Sequence, residues 1–443
     1  MRAAVIGKDG RTTALVRTLE KSPQIERPVR NLSSGKIGLT AKSLAKAQEE
    51  LRRNATRFKP DFVVVGPEEP LAAGFVDLLR DELRIPCVGP TRKLAKLEAS
   101  KVYTRQLLEK HDIGGNPKFR VFTGLDGVES YLDELEHFVI KPDGLTGGKG
   151  VKVSDVHLFS LSEAVDYCRE LFSSGQRSVL IEEKLDGEEF SLQSFCDGKT
   201  VAHMPIVQDH KRVGIGDTGP NTGGMGSYSD RDGSLPFLRR SDVDDAQATN
   251  ENVIAALIRD VGEPYKGILY GGFIATADGI RLIEYNVRFG DPEALNILSI
   301  LETDFAAVCE SIINGTLDRV RLSFAQRATV CKYIVPQNYP ENPAAGSEII
   351  ISAIRNSENL QVFEAAIDER DSKKYLTGSR AVAVVGIADE LEQAECIAER
   401  AAASIKGPVY HRSDIGSREL IETKIAHMRK LRSRETVSSA VIE

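Results

Sequence analysis

Short runs of consecutive apolar residues punctuate the first hundred positions of this chain. Ala3-Ala4-Val5-Ile6, Phe62-Val63-Val64-Val65 and Cys87-Val88 are too short for helices and lack polar alternation, as expected of strands buried on both faces. Between them the apolar positions change period. Leu71, Phe75, Leu78 and Leu79 recur at helical spacing, which predicts a helix over 71–83. Strands alternating with helices imply an α/β unit with a doubly wound parallel sheet over residues 1–100. Ligands of such sheets sit at the carboxyl ends of the strands. That places Gly7-Lys8-Asp9-Gly10-Arg11 and Gly66-Pro67-Glu68-Glu69-Pro70 at a candidate binding edge. Gly7-x-x-Gly10 is not the G-x-G-x-x-G dinucleotide fingerprint. A small phosphorylated ligand fits this edge better, because a helix N-terminus attracts phosphate.

The pattern changes after residue 100. Ser100 is a good N-cap for a helix carrying Val102, Leu107 and Leu108. Lys101 in its first turn opposes the helix dipole and calls for an anionic partner. Phe138 to Val153 reads strand, glycine loop, strand. It is not a P-loop, which would open a helix. Its glycines and lysines can close over phosphates, with backbone N–H groups as donors. Ser160-x-x-Glu163 is a capping box before a helix with Ala164, Val165, Cys168, Leu171 and Phe172 on one face. Val179-Leu180-Ile181 then runs into the carboxylate-rich stretch Glu182 to Glu189.

Gln208 to Tyr228 holds few residues able to pack a core and many glycines, carboxylates and cations. It reads as a long binding loop. Ala277-Asp278-Gly279 is a hairpin turn signal. On the strand after it, alternation puts Glu284, Asn286 and Arg288 on one face. A carboxylate and an amide oxygen together are hard ligands that suit Mg²⁺, and the arginine beside them suits a phosphate or an acyl phosphate. An ordinary cross-strand ion pair is the alternative for these three residues alone.

Composition narrows the function. The 443 residues suggest about three domains. A net charge of -7 argues against a nucleic-acid coat. No run of about 18 apolar residues is present to span a membrane, and Met1 leads straight into a strand rather than a signal peptide. The 6 cysteines are scattered and the 7 histidines lack metal-ligand spacing, so reduced thiols in a cytoplasmic protein are expected, with no zinc.

The motifs together resemble the glycinamide ribonucleotide synthetase family of the ATP-grasp superfamily. The resemblance rests on Gly66-Pro67-Glu68-x-Pro70-Leu71, Ser100-Lys101, Ile140-Lys141-x-Asp143-Gly144, Gly147-Gly148-Lys149-Gly150 and Glu182-x-x-Leu185-x-Gly187-x-Glu189. It continues through Gln208-Asp209-His210-Lys211-Arg212, Asp217 to Gly226, Asn286-x-Arg288-Phe289-Gly290-Asp291-Pro292-Glu293 and Gly378-Ser379-Arg380. It covers most of residues 60–425.

The resemblance implies an ATP-grasp fold and ATP-dependent joining of glycine to 5-phosphoribosylamine through glycyl phosphate. ATP contacts are implied for Lys101, Lys141, Gly147, Gly148, Lys149 and Gly150. Glu182 and Leu185 would read adenine, and Glu189 the ribose. Glu284 and Asn286 would hold Mg²⁺ or Mn²⁺, and Lys141 and Arg288 would be catalytic. Substrate contacts are implied for Gly10, Arg11, Pro67, Glu68, Asp209, Lys211, Arg212, Asp217, Thr218, Gly223, Gly224, Met225, Gly226, Arg288, Gly290 and Asp291. The expected organisation is a substrate domain at 1–100, an ATP-grasp domain at 101–318 with a lid at about 118–187, a small α+β domain at 319–430 and a flexible tail at 431–443. A monomer is expected, working on small molecules without nucleic acid or membrane.

One departure stands out. Where the family has G-x-G-G-R-E-H, this chain has Gly7-Lys8-Asp9-Gly10-Arg11-Thr12-Thr13. The family's later P-G-N-x-G loop is replaced by Leu32-Ser33-Ser34-Gly35. Asp9 would repel a substrate phosphate unless it turns away. Two other readings follow: a ligase with a changed amine acceptor, and a nucleotide-binding regulator without turnover. The full set of Lys141, Glu284, Asn286 and Arg288 argues against the second.

Overall fold

In the computed structural model, which describes residues 1–37, 40–145, 150–351 and 354–439, the apolar runs of the N-terminal part form one sheet. Its order is Arg30–Ser33, Ala3–Ile6, Phe62–Val65, Cys87–Val88, and every pairing is parallel. The expected helix over 71–83 is broken. Glu68–Ala72 and Phe75–Asp77 are separate helical pieces followed by a π-helical turn at Leu78–Glu82. Gly74 separates them at φ 78, a left-handed conformation that ends the first piece.

Two antiparallel four-stranded sheets follow. One orders Phe119–Phe122, Val179–Glu183, Phe138–Pro142 and Lys152–Val153, and it carries the glycine hairpin. It has its own apolar core, including Phe122, Tyr131, Phe138, Ile140, Tyr167 and Ile181. A separate core lets this layer move as a unit. The other sheet orders Val201–His203, Glu188–Asp197, Lys266–Thr276 and Gly279–Asn286. The helix Leu161–Ser173 starts as expected, with Ser160 accepting from the Glu163 N–H. The Glu163 carboxylate, however, bonds the Phe159 N–H at 2.7 Å.

The stretch 208–228 is mostly strand rather than loop. Arg212–Gly214 and Thr218–Asn221 form a hairpin. Gln208–Asp209 and Gly226–Ser229 join a larger sheet with Ala328–Pro336, Val382–Ala388 and Leu360–Glu364. Ladder hydrogen bonds need no apolar side chains, so an exposed hairpin leaves no hydrophobic pattern. The expected boundary near 318 is also bridged, because Gly226–Ser229 pairs with Ala328–Pro336.

The tail expected from residue 431 begins inside a helix. Arg418–Ser439 is one helix. Ile421, Ile425, Met428 and Leu431 pack on the main core, a stripe at helical spacing. Arg432 is buried and makes two 2.8 Å bonds to the Asp242 carboxylate. Among the described residues, no helix is long and apolar enough to cross a membrane.

Candidate active site

Three lysines from three elements converge between the two antiparallel sheets. Lys101 begins the helix Lys101–Lys110, Lys141 lies on Phe138–Pro142, and Lys211 follows Gln208–Asp209. All three act on Glu284 of the opposite sheet. Burial alone would raise its carboxyl, but Lys211, the Asn286 amide, Lys101 and Lys141 hold it below the usual range. The anionic partner that Lys101 requires comes partly from Asp143. Its carboxylate accepts from Ser100 Oγ at 3.0 Å and from the Val102 N–H at 3.2 Å, capping the helix beside Lys101. Lys101 Nζ itself donates to the Gly144 carbonyl at 2.8 Å.

Glu182, expected against adenine, has both carboxylate oxygens paired with cations. Its side chain is 3% exposed, with Arg105 Nε at 2.5 Å from one oxygen and Lys141 Nζ at 2.5 Å from the other. Burial pushes the carboxyl up, yet Arg105 and Lys141 outweigh it and lower it to about 2. Both oxygens therefore serve cations, and the carboxylate fixes the Lys141 ammonium. Leu185 is half-buried in the connection to Glu188–Asp197. Glu189 is half-exposed and paired with Lys211 at 3.0 Å. Gly147, Gly148 and Lys149 lie outside the described residues. Gly150 is anchored through its carbonyl by Tyr167 Oη at 2.6 Å.

Glu284 and Asn286 stand together on the Gly279–Asn286 strand. Asn286 Nδ2 donates to Glu284 Oε1 at 3.3 Å, and Arg288 Nη2 donates to Asn286 Oδ1 at 3.2 Å. The donor chemistry fits a hard divalent cation: an ionised, half-buried carboxylate and an amide oxygen. Among the described residues no group of three or more His, Cys, Asp or Glu could hold a metal. A cation here would complete its shell with phosphate oxygens and water, as Mg²⁺ commonly does.

Arg288 is more than a cross-strand partner. It reaches back to the N-terminal part, with Nη2 3.0 Å from Glu98 and Nε 3.3 Å from Glu68. The Nε makes no hydrogen bond, although it is buried. Burial disfavours its charge, but Glu98 and Glu68 raise the guanidinium well above its ordinary value. Glu68 opens the short helix after Pro67 and also lies 3.8 Å from Arg11. This ion-pair group joins the parallel sheet's edge to the end of the Gly279–Asn286 strand.

Asp9 is tied down at the start of the first helix. It N-caps the helix Gly10–Lys21, accepting from Thr12 N at 2.7 Å and Thr12 Oγ1 at 2.6 Å. Its other oxygen binds Arg11 through Nη2 at 2.6 Å and Nε at 3.2 Å. Burial raises this carboxyl, but Arg11 and Thr12 lower it to about 2. Arg11 Nη1 goes to the Phe289 carbonyl at 2.6 Å. Gly10 lies against Tyr333, whose hydroxyl would meet any Cβ there. Tyr333 Oη donates to Asp291 Oδ1 at 2.6 Å, and Arg380 Nη2 donates to Asp291 Oδ2 at 2.9 Å. Arg380 also binds the Gly223 and Gly224 carbonyls at 2.5 and 3.0 Å.

The 208–226 stretch divides in two. Asp209 and Lys211 face the cleft, which Glu189, Ser191, Tyr270 and Glu284 also line. Asp209 Oδ1 is buried and has no hydrogen-bond partner. Burial and the nearby Glu293 carboxylate push Asp209 well above the usual range, against Lys211 and Arg380. Gly290, on the Asn286–Glu293 run, donates its N–H to Gln193 Oε1 at 2.9 Å. Other expected contacts are committed elsewhere. Met225 is 0% exposed, in the apolar core. Gly226 is a strand residue packed on Cys331, whose carbonyl leaves no room for a side chain. Asp217 binds Arg412 at 2.7 Å and Lys424 at 3.0 Å. Thr218 lies exposed on the hairpin, where Arg212 Nη1 holds the Gly219 carbonyl at 2.8 Å.

Sequence reasoning gave no role to Arg105 or Glu98. Each is a charge among apolar neighbours, Arg105 near Leu107 and Leu108, Glu98 near Leu94 and Leu97. A charged residue on a buried face signals a buried partner.

Lysines converging between two antiparallel sheets beside a carboxylate–amide pair define an ATP-dependent ligase of the ATP-grasp class. Residues 99–294 match the ATP-grasp (A) domain of phosphoribosylglycinamide synthetase. Residues 1–98 match its N domain and 329–418 its C domain. The chain belongs to the phosphoribosylglycinamide synthetase family. It is 43% identical over 440 residues to the phosphoribosylamine–glycine ligase of Methanocella arvoryzae, covering 98% of this chain and 100% of that one. It is 45% identical over 446 residues to that of Methanocaldococcus jannaschii, covering 98% and 100%. The crystal structure of phosphoribosylamine–glycine ligase from Thermotoga maritima matches with a TM-score of 0.75 and 25% identity, covering 94% of this chain and 100% of that one. A biotin carboxylase domain from Hydrogenobacter thermophilus shares the fold alone, with a TM-score of 0.68 at 13% identity, covering 97% of this chain and 94% of that one.

Proposed function

We propose that this protein joins glycine to 5-phosphoribosylamine with ATP, giving glycinamide ribonucleotide, ADP and phosphate, a step of purine biosynthesis. The observation that carries the reading is the convergence of Lys101, Lys141 and Lys211 on Glu284. Such a field neutralises a triphosphate during phosphoryl transfer.

ATP lies under the glycine hairpin with its phosphates toward Lys101 and Lys141 and its ribose at Glu189. Glu182 keeps Lys141 in place instead of touching adenine. Glu284 and Asn286 would hold Mg²⁺ or Mn²⁺, which would draw negative charge off the triphosphate. The unpartnered Asp209 oxygen beside Glu293 takes the ammonium of glycine, an arrangement in which two carboxylates gain a buried cation. The glycine carboxylate oxygen attacks the γ-phosphorus, and the bond to ADP breaks. Arg288 steadies the resulting acyl phosphate. The amine of phosphoribosylamine then attacks the acyl carbon, loses a proton, and phosphate leaves. Lid closure excludes the water that would hydrolyse the acyl phosphate.

Phosphoribosylamine is favoured over a changed acceptor because Asp9 is already neutralised by Arg11 and the helix N-terminus. Glycine-dependent ADP release, with phosphoribosylamine set against other amines, tests this. Mass spectrometry should find glycinamide ribonucleotide. A product without ribose phosphate refutes the acceptor assignment.

A further inference from the structure

The C-terminal helix Arg418–Ser439 extends past the residues matching the family's C domain, which end at 418. It lies against both segments that border the nucleotide cleft. Lys424 Nζ is 3.0 Å from Glu188 Oε2 and 3.0 Å from Asp217 Oδ2. One turn on, His427 Nδ1 is 2.7 Å from Glu188 Oε1 and Nε2 is 3.3 Å from Asp186 Oδ1. Glu188 directly precedes Glu189 at the start of the strand Glu188–Asp197. Strand alternation sends the two side chains to opposite faces. Glu188 is 7% exposed, toward the helix, while Glu189 faces out to Lys211. Asp217 has φ 55 at the turn of the hairpin that carries Arg212 and Thr218.

We propose that Lys424 is a positioning residue for ATP: its ammonium ties the Glu188–Glu189 hinge to the Asp217 turn and so fixes where Glu189 stands. The inference rests on the reading of Glu189 as the ribose carboxylate. Each carboxylate has a second partner. Arg412 Nη1 lies 2.7 Å from Asp217 Oδ1, and His427 pairs Glu188 when protonated. Among the described residues Lys424 alone touches both. Its removal therefore leaves neither segment without support and removes only the link between them. The hinge has no slack of its own, because Gly187 packs so closely on Ala275 that a Cβ would collide with its carbonyl. Freed at one edge, it shifts as a unit, and small misplacements are costly when a group must meet a ligand at hydrogen-bond distance.

The test is steady-state kinetics on the full chain. Lys424→Met should raise KM for ATP by about tenfold while kcat and KM for glycine change by less than about twofold. Lys424→Arg should restore KM for ATP, since a guanidinium spans the same two carboxylates. Arg432→Met, which loosens the same helix further along at Asp242, should lower thermal stability and leave KM for ATP unchanged. A purely structural helix predicts the same kinetics for Lys424→Met and Arg432→Met, and that result overturns the proposal. Glu189→Gln separates the two layers of the argument. If it raises KM for ATP and Lys424→Met does not, the positioning role fails and the ribose assignment stands. If Glu189→Gln has no effect, the ribose assignment fails and the positioning role falls with it.

Discussion

Replacing Glu182 with glutamine tests whether this carboxylate reads adenine or holds a lysine. The side chain is 3% exposed and its two oxygens are taken by Arg105 and Lys141, each at 2.5 Å. Glutamine keeps the shape and removes the charge. Despite burial, the two cations bring the carboxyl from 4.5 to about 2. A depression of that size corresponds to about 3 kcal/mol, within the range of about 3–5 kcal/mol for breaking a buried pair. The carboxyl is depressed on folding, so this stability is complete above pH 4.5 and is lost as pH falls toward 2. At neutral pH the variant should unfold about 3 kcal/mol more easily in denaturant, on the lid transition. Lys141 then loses its fixed position, and ATP turnover should fall by at least about tenfold. The preference for ATP over GTP should not change. A loss below about 1 kcal/mol would mean the pair is worth no more than a surface bridge. Altered nucleotide preference with normal stability would return Glu182 to the adenine.

Glu284→Ala should abolish ADP release at ordinary Mg²⁺ while the melting curve stays cooperative, because a hard metal ligand is lost; near-normal turnover refutes the metal assignment. Asp9→Ala should cost about 1 kcal/mol through the lost N-cap and leave the product unchanged by mass spectrometry. His210 is buried with both ring nitrogens unpartnered. Burial lowers its imidazole from 6.5 to about 4; Asp217 and Asp414 pull against that, while Arg412 and Lys424 add to it. The unfolded chain thus binds a proton that the native state refuses, so this stability is complete above pH 6.5 and is lost as pH falls to about 4. Denaturant midpoints across that window should fall less steeply for His210→Phe than for the native chain, and parallel slopes refute the assignment.

What was legible in the sequence depended on how far a residue's partner lies along the chain. Ala3–Ile6 and Phe62–Val65 could be read because burial on both faces writes a continuous apolar run. Glu284, Asn286 and Arg288 could be read because strand alternation is local. The Thr218–Asn221 strand could not, since all four of its residues are exposed and its pairing is carried by the backbone. The contacts of the C-terminal helix could not be read for a related reason. Lys424, His427 and Arg432 look like solvated charges, and their partners Asp217, Glu188 and Asp242 lie far away in sequence. A basic stretch shows that acidic partners are possible, but not that the fold supplies them.

The departure at residues 9–13 shows the same limit from the other side. Taken singly, Asp9 in place of a glycine is an added negative charge beside a phosphate-binding edge. In the structure it is one half of a substitution whose other half is nearby. Thr12 supplies both the N–H and the hydroxyl that Asp9 Oδ1 accepts, and Arg11 neutralises the other oxygen. Thr13 Oγ1 donates to the Glu364 carbonyl at 2.7 Å, which fastens the helix start to the C-terminal part of the chain. These changed residues satisfy one another, so the altered run carries little net field into the cleft. The residues that do face the cleft, Asp209, Lys211, Glu284 and Arg288, belong to segments that keep the family's motifs. A local rewrite balanced within itself alters how the first helix is capped, and leaves the choice of amine to the groups that face the substrate.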